Sequence, residues 1–462
     1  MSRLAWIRTL LVPFLLICGI IAAAEPPPAR DVAFVNARVL TMVDATPRDG
    51  HTVIVRDGRI HAVAPSAELV PGADDHVIDA DGRTLIPGLA EMHAHVPVPQ
   101  GPQQPPGYTE DVLMLWVANG VTVARGMLGH PSHLDLRQRI DDGALIGPRL
   151  IISGPSFSGQ SVDRIDPAVA RVYAQAEAGY DSLKIHPGLT REQYDAIAEA
   201  ANEAGLRFAG HVPVDVGLPR AFEARQETID HLDGYMHVLV RDPGAHPDAA
   251  RSFFGIGLLP YVDRGAIADA VTETRNSGAA VVPTETLFEN FRLAAEDMDA
   301  LLARPENAFL PPGLLSAYRA RLEDADAMGE LLDDFMTLRG ELIAALHRAG
   351  VPLLLGADTP QIMNVPGFAT ARELEIMVRA GLSPFAALEA ATIAPARFYG
   401  AEGRFGSIVP GAVADLVLLH DDPLEEIGNV RSIEGVMLRG RWLDRTFLDQ
   451  QLERIRERYA AL

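Results

Sequence analysis

The chain has 462 residues, 48% hydrophobic and 22% charged, with a formal net charge of −22. That length points to one large α/β barrel with an accessory domain, or to two to three ordinary domains, and the composition excludes a disordered chain. Nucleic acid and anionic membrane are excluded as partners, because both need a positive surface.

The first 24 residues read as a secretory signal peptide. Arg3 and Arg8 form its basic region, LLVPFLLICGII its apolar stretch, and Ala22 to Ala24 a small-residue cleavage site. An uncleaved membrane anchor is the alternative, but the apolar run is short and ends in small residues. Ile17, not a small residue, precedes Cys18, which argues against lipidation. The expectation is an exported protein, periplasmic or secreted, with no stable membrane insertion after cleavage. Cleavage also removes the only cysteine. Disulfides, thiol catalysis and thiolate metal ligation are thereby excluded from the mature chain.

Residues 31–65 contain β-branched runs broken by Asp and Gly turn signals, as in DVAFVNARVLTM and HTVIVRDGRIHAVAP, and predict short antiparallel strands. GSIVPGAVADLVLLHDD and SIEGVMLRGRWLD near the other end have the same texture. Between them, DSLKIH (181–186) alternates, and a helix follows whose start is marked by a capping box of Thr190 and Gln193 and whose stop is Gly205. RFAGHV (207–212) and TIDHLD (228–233) are the next strands. Strand, helix and strand at this spacing predict a parallel sheet. The expected fold class is α/β, a (β/α)8 TIM-like barrel with a small β-sandwich domain formed from both chain ends. The boundaries are 25–85 and 403–446 for the β-sandwich, 86–402 for the barrel and 447–462 for a C-terminal helix. Long insertions at 234–277 and 286–338 are expected to line or cover the barrel mouth.

Polar residues stand at or near the ends of these apolar runs. His93 and His95 in EMHAHV fall on one face of a strand, about 6.8 Å apart along it. Lys184, His211, His231 and Asp358 occupy equivalent places in DSLKIH, RFAGHV, TIDHLD and VPLLLGADTP. Barrel enzymes carry catalytic groups at the C-terminal ends of their strands, so these six converge. Imidazole and carboxylate donors suit Zn2+, with Mn2+ or Co2+ as alternatives. A lysine ammonium cannot bind metal unless it loses its proton or is carbamylated by CO2, and the residue alone leaves that choice open.

PGLAEMHAH, GVTVARGM, DSLKIH, AGHVP, TIDHL, LLLGADTP, GLSPFAALEAATIAPARFYG and the closing GSIVPGAVADLVLLHDDPLEEIGNV together resemble the amidohydrolase superfamily, in its imidazolonepropionase-like and Xaa-Pro dipeptidase (prolidase)-like branch. The likeness runs from about Asp31 to Asp444. It implies a site for two divalent ions: His93, His95 and Asp358 on the buried one, His211 and His231 on the more exposed one, and a CO2-derived carbamate on Lys184 bridging both. Asp358 would be the catalytic residue, taking a proton from the attacking water and giving it to the leaving amine. His186, Tyr235 and His237 are candidate substrate contacts, whereas His130 and His133 are expected on a surface loop. SGPSFSGQS (153–161) stands where many relatives carry a TGGH-like histidine, a departure that bears on dipeptide specificity. The implied activity is hydrolysis of a C–N bond in a small amide, a dipeptide or an N-acyl amino acid. The alternatives are a cyclic amide or other small amide or ester, or a periplasmic binding protein that has lost catalysis. Homo-oligomerisation is left open.

Overall fold

A computed structural model describes residues 27, 30–99, 101–323 and 329–462. The expected signal peptide, with Cys18, lies outside the described residues. Five strands open the fold: β1 (Val32–Val39), β2 (Arg48–Arg56), β3 (Arg59–Pro65), β4 (His76–Asp79) and β5 (Thr84–Pro87). Seven follow in the middle: β6 (Leu89–Ala94), β7 (Val121–Gly126), β8 (Arg149–Ile152), β9 (Ser182–Ile185), β10 (Arg207–Gly210), β11 (Thr228–Asp230) and β12 (Ala280–Val282). Three close it: β13 (Leu416–Leu419), β14 (Ile433–Leu438) and β15 (Arg441–Asp444).

Both ends of the chain meet in one sheet of order β15-β14-β13-β5-β1-β2-β3, with β4 beside β1. Its hairpins are set locally. Asp57 and Gly58, joining paired Arg56 and Arg59, both have positive φ, and so do Arg439 and Gly440 between β14 and β15. Two consecutive left-handed residues make the turn whose twist matches that of the strands. The expected sandwich of two sheets is a single sheet that curls. Phe34 on β1 and Trp442 on β15 are four strand positions apart, about 19 Å in a flat sheet, yet their rings meet edge to face at 5.2 Å. Register shifts within β1 provide the bend, and Val32, Val53, Leu85, Leu416 and Met437 fill the enclosed core.

The seven middle strands are parallel and form two arcs, β6-β7-β8 and β9-β10-β11-β12. Among the described residues the continuous eight-strand ladder that the sequence predicts is not formed. Single parallel bridges, Ser153 to Ser182 and Val281 to Leu353, extend the arcs, and another joins Thr359 to Ala94. The segment from Leu353 is held by hydrogen bonds rather than by a regular strand: Leu354 N–H donates to Val281 O, Met92 N–H to Leu355 O and Asp358 N–H to His93 O.

Helices cover the arcs. The one at Arg191–Ala204 begins with the expected reciprocal capping box of Thr190 and Gln193 and ends at Gly205, whose φ is +65°. The two long insertions are mostly helical, including Tyr235–Val238, Ile267–Ser277, Glu285–Leu302 and Gly329–Arg348. A last helix, Arg445–Ala460, packs on Tyr108–Ala118, where Arg458 and the Tyr459 hydroxyl both reach buried Asp111. Among the described residues no helix is long and apolar enough to cross a membrane.

Candidate metal centre

The parallel strands aim their C-terminal ends at one cluster. His93 stands near the end of β6 and His95 just beyond it, Lys184 lies in β9, His211 follows β10, and His231 follows β11. Asp358 comes from the hydrogen-bonded segment after Leu353. His231 and Asp358 both have positive φ, +63° and +56°. Non-glycine residues there are strained, and such strain gathers at functional sites.

All six expected ligands come together. Donor atoms of His93, His231 and Asp358 lie within 4.8 Å of one another, close enough to share one ion. Asp358 Oδ1 is 2.9 Å from His95 Nε2 and 3.5 Å from His93 Nε2, and Lys184 Nζ is 3.3 Å from His93 Nε2. The rings of His211 and His231 stack at 4.4 Å. His231 Nε2 and Asp358 Oδ1 are buried without a properly aligned hydrogen-bond partner. Buried polar atoms are rarely left so. The donor set therefore fits a divalent cation, and imidazole with carboxylate is the chemistry of zinc-type sites.

Electrostatics point the same way. Burial brings His93 down to about 4, with the Lys184 charge adding to the effect, and burial drives His211 and His231 well below their ordinary value. These imidazoles are neutral near pH 7, as metal ligation requires. Burial lowers the Lys184 ammonium to about 8, toward the free amine that reacts with CO2. For Asp358, burial works upward, but the fields of His93 and His95 outweigh it and hold the carboxyl well below the usual carboxylate range.

Several supporting residues escape the sequence reading. Asp230 Oδ2 lies 2.8 Å from His93 Nδ1, while its Oδ1 accepts from the Thr228 hydroxyl at 2.6 Å and faces the Arg125 guanidinium at 3.4 Å. Arg125 is itself buried and donates to Met92 O at 2.6 Å. Glu91, fully buried, accepts from Ala357 N–H and the Thr370 hydroxyl, and burial raises its carboxyl to about 8. Asp233 Oδ2 sits 2.6 Å from His211 Nδ1. Thr228 and Asp230 alternate along β11, so both face the cluster. That alternation is the one signal from which Asp230 could have been found.

The mouth has two recesses that share His211, Pro187 and Gly188. One, about 360 Å3, has an apolar wall of Leu189, Val212, Val214, Phe253 and Phe254, with His237 on its margin. Phe254 lies 5.6 Å from the His231 ring. The other is lined by Ser158, Gln160 and His186, and it occupies the place of the departure at 153–161. His186 also meets the His211 ring edge to face at 4.9 Å. His237 Nε2 is 2.8 Å from Ala250 O. Tyr235, expected as a substrate contact, is turned into the core instead: it is 1% exposed and its hydroxyl pairs with Thr274 at 2.8 Å. The short helix Tyr235–Val238 presents that side chain to helix Ile267–Ser277. His130 is exposed as expected, but His133 is buried, because helix Ser132–Asp141 points its ring inward, 3.3 Å from Pro97 O.

The Amidohydrolase family model matches residues 84–443, and the chain belongs to that family. An imidazolonepropionase of Chromobacterium violaceum is 26% identical over 428 residues, covering 85% of this chain and 92% of the relative. Among solved structures, bottromycin amidohydrolase aligns with a TM-score of 0.72 at 23% identity, over 95% of this chain and 92% of that one. A Xaa-Pro dipeptidase with bound methionine in the active site aligns at 0.63 and 19%, over 90% and 100%. These structural likenesses show the fold. The protein is a hydrolase acting on C–N bonds.

Proposed function

We propose that this chain is an exported, metal-dependent amidohydrolase that cleaves the amide bond of a small substrate, a dipeptide of the Xaa-Pro type or an N-acyl amino acid. One observation carries the reading: donor atoms of buried His93, His231 and Asp358 lie within 4.8 Å of one another, with Lys184 in contact with His93. The imidazolonepropionase and Xaa-Pro dipeptidase likenesses support a small amide as the substrate. In this reading the two parallel arcs and the segment 353–359 form one (β/α)8 barrel, with the curled sheet as the accessory domain.

His93, His95 and Asp358 would hold one ion, His211 and His231 a second, and carbamylated Lys184 would bridge them. Bound zinc, or manganese or cobalt, supplies an acidified water and polarises the scissile carbonyl. Asp358 would take the proton of the attacking water and pass it to the leaving nitrogen. Its depressed pKa keeps it ionised at neutral pH. Asp230, backed by Arg125, holds the His93 ring from the side opposite Lys184. Phe253 and Phe254 give one side of the mouth an apolar wall.

The test is turnover by zinc-loaded protein on a pooled library of dipeptides, N-acyl amino acids and cyclic amides, read by mass spectrometry. Cleavage of members of the first two groups, lost in Asp358→Asn while the metal is retained, is the expected result. Cleavage of cyclic amides alone would replace the proposed substrate class, and no cleavage at all would leave a binding protein.

A further inference from the structure

Thr284 occupies an improbable position. It is fully buried, it follows β12 by two residues, and its backbone is left-handed, φ +59° and ψ +43°. A β-branched side chain is a genuine outlier in that region, because its Cβ substituents crowd the backbone. A structure that only needed a turn here would be better served by glycine or asparagine.

The residue also stands at the N-cap of helix Glu285–Leu302 without doing what threonine usually does there. Its hydroxyl accepts nothing from the first turn of that helix. Those orphan donors are taken by a distant carboxylate: Glu373, on helix Phe368–Arg379, accepts from Glu285 N–H at 2.9 Å and from Thr286 N–H at 2.8 Å. The Thr284 hydroxyl is thus released from capping. It lies instead 2.7 Å from His231 Nδ1 and 2.7 Å from Pro283 O.

The single hydroxyl proton decides the histidine's state. If it pointed at His231 Nδ1, two acceptor oxygens would face each other at 2.7 Å with no hydrogen between them. Both contacts are satisfied only when the hydroxyl donates to Pro283 O and accepts Nδ1–H from the ring. The neutral ring then carries its proton on Nδ1, and the lone pair on Nε2 is bare. His231 Nε2 is the ring nitrogen found buried without a partner.

We infer that Thr284 is a positioning residue that fixes His231 in the Nδ1–H tautomer and so presents Nε2 as a metal ligand, with Glu373 capping the helix in its stead. The inference rests on the proposal that His231 holds an ion, and it adds a residue that contacts neither ion nor substrate. Partners of this kind set the orientation and basicity of metal-ligating histidines, and their loss typically weakens metal binding 10- to 100-fold.

The test uses three variants, Thr284→Ser, Thr284→Val and Thr284→Gly. Long-range 1H–15N NMR on metal-free protein with 15N-labelled histidine, with His231 assigned through His231→Asn, reads the tautomer directly. Zinc affinity is read by competition with a chromophoric chelator, and stability by urea denaturation. The parent and Thr284→Ser are expected to show Nδ1–H at His231 and the same zinc affinity. Thr284→Val is expected to shift toward Nε2–H and to bind zinc about 10- to 100-fold more weakly. Thr284→Gly relieves the backbone, so it should fold at least as stably as Thr284→Val and still bind zinc weakly, which a purely structural role would not produce. A parent with its proton on Nε2 that binds zinc tightly, or a Thr284→Val protein with parental affinity, would overturn the positioning role alone. A parent that shows Nδ1–H but takes up no zinc would overturn the metal reading, and with it any ligand for Thr284 to position.

Discussion

Replacing Asp230 by asparagine removes one negative charge from a site where nothing else can replace it. Asp230 and Arg125 are both within 2% of complete burial, and among the described residues the carboxylate is the only acidic group that pairs with that guanidinium. Breaking one side of a buried ion pair typically costs 3 to 5 kcal/mol, because the other charge is stranded in a medium that solvates it poorly. Two features place Asp230→Asn at the lower end. The pair is separated by 3.4 Å, and Arg125 keeps its bonds to Met92 O and to the Thr228 hydroxyl. The expected loss is about 3 kcal/mol. Burial works to raise the Asp230 carboxyl, but Arg125 and His93 hold it far below its ordinary value. Its contribution is therefore complete above about pH 4, the unfolded value, and is lost only as the pH falls below that. Urea denaturation of metal-free protein at pH 7.5 is the assay, with the midpoint falling and the slope unchanged. A double variant, Arg125→Met with Asp230→Asn, should recover much of the loss, since no charge is then left unpaired. An Asp230→Asn protein within about 0.5 kcal/mol of the parent would refute the reasoning, because surface substitutions change stability by that much.

Three other outcomes are expected. His133 accepts from His130 N–H at Nδ1 and sits buried, and burial lowers it to about 4; the unfolded chain takes up that proton near 6.5, so stability should fall as pH drops from 6.5 to 4, by at most about 3 kcal/mol. His133→Leu should flatten that part of a stability-against-pH curve, and an unchanged slope would exclude His133 as its source. A Cβ on Gly210, whose φ is +121°, would lie 2.5 Å from Ile185 O and 2.9 Å from Lys184 Cδ; Gly210→Ala should cost about 1 to 3 kcal/mol and lower metal content by displacing Lys184, and normal metal content would contradict this. Phe254→Ala should reduce kcat/KM about 10-fold for substrates with an aryl or branched side chain, from roughly 55 Å2 of lost contact at about 25 cal/mol per Å2, while an equal effect on a glycine-containing substrate would rule out an apolar subsite.

The clustering of the six candidate ligands was legible because barrel geometry ties chemistry to strand ends: His93, His95, Lys184, His211, His231 and Asp358 each sit at or near the place where an apolar run stops. Local signals also held. Asp57 and Gly58 gave their hairpin turn, and Thr190 and Gln193 their capping box, because both depend on residues a few positions apart. What could not be read were effects decided across the chain. Nothing near Thr284 predicts a left-handed threonine, since Glu373 and His231, which make that conformation worthwhile, lie 89 and 53 residues away. Phe253 and Phe254 became the wall of the mouth through the path of an insertion, not through any periodicity. His133 was expected on a surface loop beside His130, but helix Ser132–Asp141 rotates its ring inward. The two-sheet sandwich gave way to a single curled sheet for a similar reason: bulges in β1 depend on its partner strands.

The most direct test of the metal-centre account is metal content per chain, measured by mass spectrometry on protein prepared in bicarbonate buffer, for the parent and for Lys184→Ala side by side. The account predicts about two divalent ions in the parent and a loss of at least one in the variant, together with its hydrolysis of C–N bonds. A parent holding none, or a Lys184→Ala protein that keeps both ions and full turnover, would contradict it.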